Sequence, residues 1–371
     1  MPAYVYRVTK YDPADRDEHG HYTGLEDTGS DHGEVEAAYL QAVAAFATET
    51  GVDHLAIREP GVPSIAHFGV EPPVDGYGLD GLFQPAPDAV TGPSLPPGFH
   101  DGAQVPLRTA LELVRAMLRD NGAWCRLEVE DVFAVHVGWD QYLYIGSNHP
   151  CEEALVRICA TGLFPERLTS SPYDFDPEDE RAGLLRPGDD AFWDGLGAAV
   201  ASGRAGVLEE MFVEGATRWH SLTPDILGSV RAGLAPRARL AVRPPLSSDI
   251  DAVLAAFPAD GLVEGVWQDK DGRLHSAICD ENEFPELASR ISAASAAVLL
   301  SGYEGEDLPL YTAVMPDNDG VVRARWRPAL AAADQSRQTL SQAHSGASDQ
   351  PARAAQQDQN PVPITAFRDD H

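Results

Sequence analysis

The chain has 371 residues, of which 43% are apolar, so it can bury real hydrophobic cores and is long enough for about two or three domains. Its 58 acidic and 27 basic side chains give a formal net charge of −31, which excludes general affinity for nucleic acid and for anionic membranes. Binding to either would require a local basic patch. The first residues lack a signal-peptide pattern, and no apolar run reaches the ~18 residues of a membrane helix. We therefore expect a cytoplasmic protein with no membrane or DNA partner.

The first half of the chain predicts an α+β domain over residues 1–168. Its predicted elements, in chain order, are strand 3–10, a helix that follows a cap at Asp31 and ends at Gly51, strand 53–58, a helix that starts at Leu107 and stops near Gly122, strands 124–130, 132–137 and 141–145, and helix 150–161. Asp31 with Glu34 resembles a capping box, and Gly51 is typical of a helix end. Residues 60–105 are rich in Pro and Gly and predict an extended insertion with short strands.

The second half predicts another α+β domain over residues 190–330, behind an acidic linker at 169–189. Its predicted elements are short helices 191–201 and 225–231, strand 237–243, helix 248–257, strands 262–268 and 273–279, helix 283–301, and a hairpin of strands 310–315 and 321–327. This order is typical of a ferredoxin-like sandwich with one extra strand, and we expect both domains to be sheet–helix sandwiches of that type. Residues 331–371 lack apolar periodicity and predict a disordered tail.

The chain contains no motif that names a reaction. A nucleophile elbow, a phosphate-binding loop, a zinc-protease helix motif and a dinucleotide fingerprint are all absent from the sequence. The four cysteines lie in apolar patterns without a C-x-x-C spacing, so we expect them to be reduced, buried and not zinc ligands. These cysteines are Cys125, Cys151, Cys159 and Cys279. The sequence identifies no catalytic residue and no cofactor, and it favours a protein that is not an enzyme.

The first loop suggests two metal hypotheses. Residues 15–26 match a calcium-loop template around Gly20, although His19 takes a position where calcium prefers oxygen and no helix follows at once. The residues that would supply oxygen ligands are Asp15, Asp17, Thr23 and Glu26. A transition metal would instead use three histidines of the same region, namely His19, His21 and His32. The alternative to both is a solvated connection between strand and helix, and we expect no metal.

The three strands between residues 124 and 145 alternate, and this alternation predicts two faces. The inner face holds Cys125, Leu127, Val129, Phe133, Val135, Val137, Leu143 and Ile145. The outer face holds Trp124, Arg126, Glu128, Ala134, His136, Tyr142 and Tyr144. Exposed aromatic residues beside Arg and His on a sheet can stack unpaired bases, so this face is a candidate ligand platform. The alternative is that a helix or the Pro-rich insertion covers the face and turns its aromatic residues into a second core.

Arginines concentrate in the second half, against the acidic background. Five of them stand between residues 216 and 248 beside one acid, and Arg323, Arg325 and Arg327 alternate on the last predicted strand. An arginine ridge on an edge strand can bind phosphates or an acidic partner. It can equally protect the edge from aggregation or pair with the acids of this chain.

Four stretches resemble a family of actinobacterial proteins whose members often carry the generic label "RNA-binding protein". They are residues 6–17, 124–131, 137–142 and 162–167. The resemblance covers mainly residues 4–170. It implies contact with RNA and carries no particular binding residue with it.

Three functional hypotheses follow. The first is a non-enzymatic binding or regulatory protein. The second is an RNA-binding protein that uses the aromatic face, with Trp124, Arg126, Tyr142 and Tyr144, and the arginine ridge. The third is an acidic protein of the immunity or antitoxin type that masks a basic partner, since the negative charge would attract one.

Overall fold

The computed structural model describes residues 2–19, 21–24, 32–63, 75–83, 95–96, 98–138, 141–171, 186–303 and 306–325. Within these ranges the chain has seven helices and three antiparallel sheets, so the predicted α+β class is confirmed. The described residues belong to one compact unit, Met1–Ala332. Most of the predicted linker and all of the predicted tail lie outside the described residues, and the two domain boundaries stay predictions.

The elements are labelled in chain order. The strands are β1 (Tyr4–Thr9), β2 (His54–Gly61), β3 (Gln104–Pro106), β4 (Trp124–Val129), β5 (Phe133–Val137), β6 (Leu143–Ser147), β7 (Phe164–Leu168), β8 (Val207–Val213), β9 (Ala216–Ser221), β10 (Arg239–Arg243), β11 (Val263–Gln268), β12 (Leu274–Cys279), β13 (Ala296–Ser301) and β14 (Tyr311–Val314). The helices are α1 (Glu34–Thr50), α2 (Leu107–Leu118), α3 (Glu152–Ala160), α4 (Asp190–Ala201), α5 (Leu227–Gly233), α6 (Ile250–Ala255) and α7 (Phe284–Ser292).

The first half forms a seven-stranded sheet in the order β3-β2-β4-β5-β6-β1-β7. One face packs against α1, α2 and α3, and the alternation predicted for the meander is confirmed there. Its predicted inner residues are all buried except Val129, which is half-buried. Strand β7 has no counterpart among the predicted elements, because Pro165 and two charged residues interrupt its apolar pattern. Seven strands also exceed the four of a ferredoxin-like sandwich.

Helix α1 begins and ends at glycines. Gly33 takes the N-cap position with a φ of 81°, while the predicted cap Asp31 lies outside the described residues. Gly51 ends the helix in the left-handed conformation, and its N–H donates to the carbonyls of Ala47 and Thr48, as expected for a helix that ends at glycine.

The second half departs from the ferredoxin-like prediction. Its strands divide between a four-stranded sheet, in the order β14-β10-β8-β9, and a three-stranded sheet, in the order β12-β11-β13. Strands β8 and β9 fall in a stretch without predicted elements. They pair with each other, and β8 pairs with β10, the first predicted strand of this half. Because β10 lies between β14 and β8, it does not share a sheet with β11 and β12, as the prediction required. A single ferredoxin-like sandwich is therefore not what this half forms.

Two further predictions about the second half are wrong. The helix predicted over 283–301 ends at Ser292, and residues 296–301 form β13, because their backbone groups pair with β11 along the whole strand. The last predicted strand, 321–327, is absent over its described part, residues 321–325, although the preceding turn at Gly320 forms with a φ of 80°. Arg327 lies outside the described residues.

The prediction of buried cysteines is confirmed for three of the four residues. Cys125, Cys151 and Cys279 are buried thiols, as predicted, whereas Cys159 is exposed because it lies on the outward side of the short helix α3. All four are free. In the part of the chain that the structure describes, no helix is long and apolar enough to cross a membrane.

Candidate functional site

The outer face of the large sheet carries one row of side chains across four strands. His136 on β5 lies opposite Tyr144 on β6, and Tyr144 lies opposite Arg7 on β1. Arg7 in turn lies opposite Glu166 on β7, and its Nη2 donates to that carboxylate at 2.6 Å. Two residues of the predicted outer face, His136 and Tyr144, are therefore neighbours in the fold, beside Arg7, which was not among the residues predicted for this face.

Most of the aromatic residues in this group are not open to a ligand. His136 and Tyr144 are each 4% exposed, and Trp124 is half-buried. The Trp124 ring stands edge-on to His136 with ring centroids 4.7 Å apart, and its Nε1 donates to the Val137 carbonyl at 3.0 Å. The rings of His136 and Tyr144 are too buried for a base to stack on them, and the Trp124 ring packs against His136.

His136 is held in its neutral form. Burial, followed by the positive charge of Arg126, lowers the pKa of His136 to about 3. The imidazole therefore supplies neither a cation for phosphate binding nor a proton donor at neutral pH.

The depressed pKa of His136 predicts acid-sensitive stability. The folded state binds fewer protons than the unfolded state below pH 6.5, so this contribution is present above pH 6.5 and is lost as the pH falls. We expect the wild-type chain to lose about 2 kcal/mol between pH 7 and pH 5 through this group. Over the same pH range, the unfolding free energy of His136→Gln should fall by that much less than the unfolding free energy of the wild type. Urea unfolding followed by circular dichroism measures both. His149→Gln, which changes an exposed histidine, is the control and should follow the wild-type pH dependence.

The two described members of the arginine ridge bind acids of this chain. Arg323 donates to Asp319 at 2.6 and 2.8 Å and to Asp317 at 2.8 Å, and it lowers the pKa of Asp319 to about 2. Arg325 donates to both carboxylate oxygens of Glu128, at 2.5 and 3.2 Å. Because residues 321–325 form no strand, Arg323 and Arg325 do not form a row along a sheet edge. Both arginines instead pair with acids of this chain, which is the alternative stated above.

Arg325 belongs to a buried charge network centred on Asp101. The Asp101 side chain is 1% exposed, and its two oxygens lie 3.3 Å from Arg58 Nε and 3.1 Å from Arg237 Nη1. Its Oδ1 also accepts the backbone N–H of Glu59 at 2.8 Å. This carboxylate thus connects the large sheet with the segment that leads into β10.

Tyr142 is less buried than Tyr144 and His136, and it differs from Trp124 because it lies in a group of rings and cations. We call this group the tyrosine–arginine cluster; it consists of Tyr11, Tyr22, Tyr142, Arg7, Lys10 and Arg16, all half-buried. The Tyr11 ring lies 4.6 Å from Tyr22 and 6.2 Å from Tyr142, between ring centroids. The guanidinium carbons of Arg7 and Arg16 lie 5.7 and 5.4 Å from the centre of the Tyr142 ring.

The first loop places half of this cluster. It turns back on itself so that Thr23 donates to the Asp15 carbonyl through both its N–H and its hydroxyl, each at 2.8 Å, and Arg16 pairs with Tyr22. Gly24 lies so close to the Tyr22 ring that a Cβ there would meet its hydroxyl at 2.1 Å. The sequence offers only a weak signal for this arrangement, namely three tyrosines and three bases in separate segments of an acidic chain.

The same loop uses its acids internally. Asp17 Oδ1 accepts the N–H groups of His19 at 2.9 Å and His21 at 2.8 Å, and these bonds lower the pKa of Asp17. Gly20 and Glu26 of the calcium hypothesis lie outside the described residues. Among the residues that the structure does describe, no group of three or more His, Cys, Asp or Glu side chains is arranged to hold a metal ion.

A pair of carboxylates lies where the four-stranded and three-stranded sheets meet. Trp219 Nε1 on β9 donates to Glu264 Oε1 on β11 at 3.1 Å. Glu209 on β8 is held by Arg243, whose Nε lies 2.9 Å from Glu209 Oε2. Burial, followed by the charge of Glu209, raises the pKa of Glu264 to about 7. The charge of Glu209 thus opposes the ionisation of Glu264 at the contact between the two sheets.

Comparison of the chain with protein-family models, with curated proteins and with solved structures gave no match.

Proposed function

We propose that this chain is a non-enzymatic binding protein and that its ligand contacts the tyrosine–arginine cluster. The observation that carries the proposal is the cluster itself: three half-buried tyrosines lie with Lys10, Arg16 and Arg7 on a chain with 58 acidic residues. Of these cations, Arg7 also binds Glu166. A local group of cations is what an acidic protein needs to bind an anion. Of the residues predicted on the outer face and on the arginine ridge, Tyr142 is the one on which this proposal rests.

Single-stranded RNA is the ligand class that suits these side chains best. Tyrosine rings stack on unpaired bases of any sequence, and guanidinium groups bind the phosphates between them. Of the predicted outer face, the proposed binding site keeps only Tyr142. It leaves out Tyr144 and His136 because they are buried, and Trp124 because its ring packs edge-on against His136. It also leaves out the ridge arginines, because the two that the structure describes bind acids and are not members of the cluster.

The first test measures binding of a labelled single-stranded RNA of about ten nucleotides by fluorescence anisotropy at low salt. Tyr142→Ala should weaken binding by about 1–3 kcal/mol, which is at least about fivefold, because one stacking surface is lost. Tyr142→Phe should bind like the wild type. Arg16→Gln should reduce the slope of log affinity against log salt concentration by about one, since one phosphate contact is lost.

Tyr303→Ala is the matched control, because Tyr303 is an exposed tyrosine, 51% accessible, outside the cluster. Its affinity should equal that of the wild type. Equal losses in the Tyr142 and Tyr303 variants, or an absence of RNA binding at low salt, would contradict the proposal.

A further inference from the structure

The segment Val321–Arg325 lies on the outer face of the large sheet without joining any strand ladder. Arg58 Nη2 on β2 donates to the Arg323 carbonyl at 3.0 Å. Ala324 is 6% exposed and packs with Val322 against Val314. At its start, the Val321 N–H donates to Asp319 Oδ1 at 3.1 Å and the Val321 carbonyl accepts the Asp317 N–H at 2.9 Å. Beyond this turn, the segment is held by the Arg58 bond, a small apolar contact and the ion pairs of its arginines.

Two glutamates form the place where Arg325 binds, and we call them the arginine seat: Glu59 and Glu128. Both terminal nitrogens of Arg325 reach Glu128, and Nη1 lies 3.6 Å from Glu59. Two parallel N–H···O bonds to one carboxylate are the geometry that a guanidinium satisfies and an ammonium does not. Glu128 is nearly buried, whereas Arg325 keeps about a quarter of its side chain exposed (9% and 26%). The seat is thus part of the sheet, and its occupant comes from an irregular segment.

We propose that the arginine seat is a docking site for an arginine-bearing segment of a protein partner, and that Arg325 occupies it within the chain until such a segment displaces it. Charge complementarity selects the partner, because a chain with a net charge of −31 attracts basic proteins. The bound guanidinium shows which side chain the seat accepts. This surface is separate from the tyrosine–arginine cluster and takes a different ligand, so it is independent of the proposed function. It gives the hypothesis of an acidic protein that masks a basic partner a specific place on the molecule.

A partner must compete with Arg325 for the arginine seat. A side chain tethered by a short segment competes at an effective concentration in the millimolar range. A peptide with the same arginines should therefore bind the wild-type chain weakly, and removal of the Arg325 guanidinium should strengthen its binding at least about tenfold.

The experiment uses a fluorescent synthetic peptide with the sequence of residues 319–325 and the full-length chain. Anisotropy titrations compare wild type with Arg325→Ala, whose folding is checked by its thermal transition. A second peptide carries citrulline, which is neutral and nearly isosteric with arginine, in place of its last arginine. We expect at least tenfold tighter binding to Arg325→Ala than to wild type, and loss of that gain with the citrulline peptide. Arg325→Gln replaces Arg325→Ala where the alanine variant does not fold, with the same expectation.

Three results would overturn the proposal. The first is equal binding of the arginine peptide to wild type and variant. The second is equal binding of the arginine and citrulline peptides to the variant, because the seat would then not recognise a guanidinium. The third is a wild-type dimer in native mass spectrometry that Arg325→Ala abolishes, because the occupant would then be the same segment of a second copy. A failure of RNA to bind at Tyr142 leaves all three results unaffected.

Discussion

Asp101→Asn should cost about 3–5 kcal/mol of unfolding free energy, the range typical of breaking a buried ion pair by removing one partner. The asparagine side chain keeps nearly the same shape and can still accept the Glu59 N–H. It lacks the negative charge that lies within 3.3 Å of Arg58 and Arg237, and both guanidinium groups are themselves about nine-tenths buried. Urea unfolding at pH 7 measures the loss directly.

A double-mutant cycle separates the charge effect from any change in packing. Arg58→Gln in the Asp101→Asn background should lose less than the sum of the two single changes, because the second substitution removes a buried positive charge that has lost its nearer carboxylate. Asp194→Asn changes an exposed aspartate on α4 and should stay within about 0.5 kcal/mol of wild type. A loss below about 1 kcal/mol for Asp101→Asn would show that the network contributes little.

This network also shows where sequence patterns stop being informative. Alternation along β4 to β6 predicts correctly which side chains face the core, since a strand pattern is local and its inner residues are apolar. Asp101 stands in a Pro- and Gly-rich stretch without periodicity. Its partners Arg58 and Arg237 are 43 and 136 positions away in the chain. One sequence contains no information on which of 58 acids meets which arginine, so the pairing emerges only from the fold.

In the candidate site, too, the residues on a regular strand pattern are predictable from the sequence and the others are not. Tyr142 was identifiable because it belongs to the alternating meander, but its companions Tyr11, Tyr22 and Arg16 reach it through a loop that has no periodic pattern. The ridge arginines were identified as a set by alternation, and alternation was misleading there because residues 321–325 do not form a strand. Ala296 to Ser301 illustrates the same difficulty for an element: a short apolar run suits a helix or a strand, and only its pairing with β11 decides.

Glu264→Gln should stabilise the chain by about 3 kcal/mol at pH 8 and by almost nothing at pH 4.5, which follows from the raised pKa of Glu264. The folded state holds a proton on this carboxyl up to about pH 7, whereas the unfolded chain releases it near pH 4.5. Between these values the folded state binds more protons, so the stability of the wild type falls as the pH rises and levels off above pH 7. Glutamine is neutral throughout and still accepts the Trp219 N–H.

Charged and polar groups from four strands surround Glu264 and influence its pKa. Glu209 from β8 opposes its ionisation, while Trp219 from β9, Arg243 from β10 and Ser276 from β12 favour it. Glu286→Gln removes an exposed glutamate of α7 that pairs with Arg290, and its unfolding free energy should run parallel to that of wild type from pH 5 to pH 8.

The Glu264 contact joins two sheets, and its titration therefore affects how they are held together. Ionisation above pH 7 places a second negative charge beside Glu209 at the contact between β9 and β11, where Trp219 reports the environment. We expect the wild-type chain to show faster amide hydrogen exchange in β11 and β12 at pH 8 than at pH 6, after correction for the intrinsic pH dependence of exchange, and Glu264→Gln to show no such difference. If the corrected rates of the wild type were equal at pH 6 and pH 8, ionisation of Glu264 would not weaken the contact between the sheets, and the expectation would be wrong.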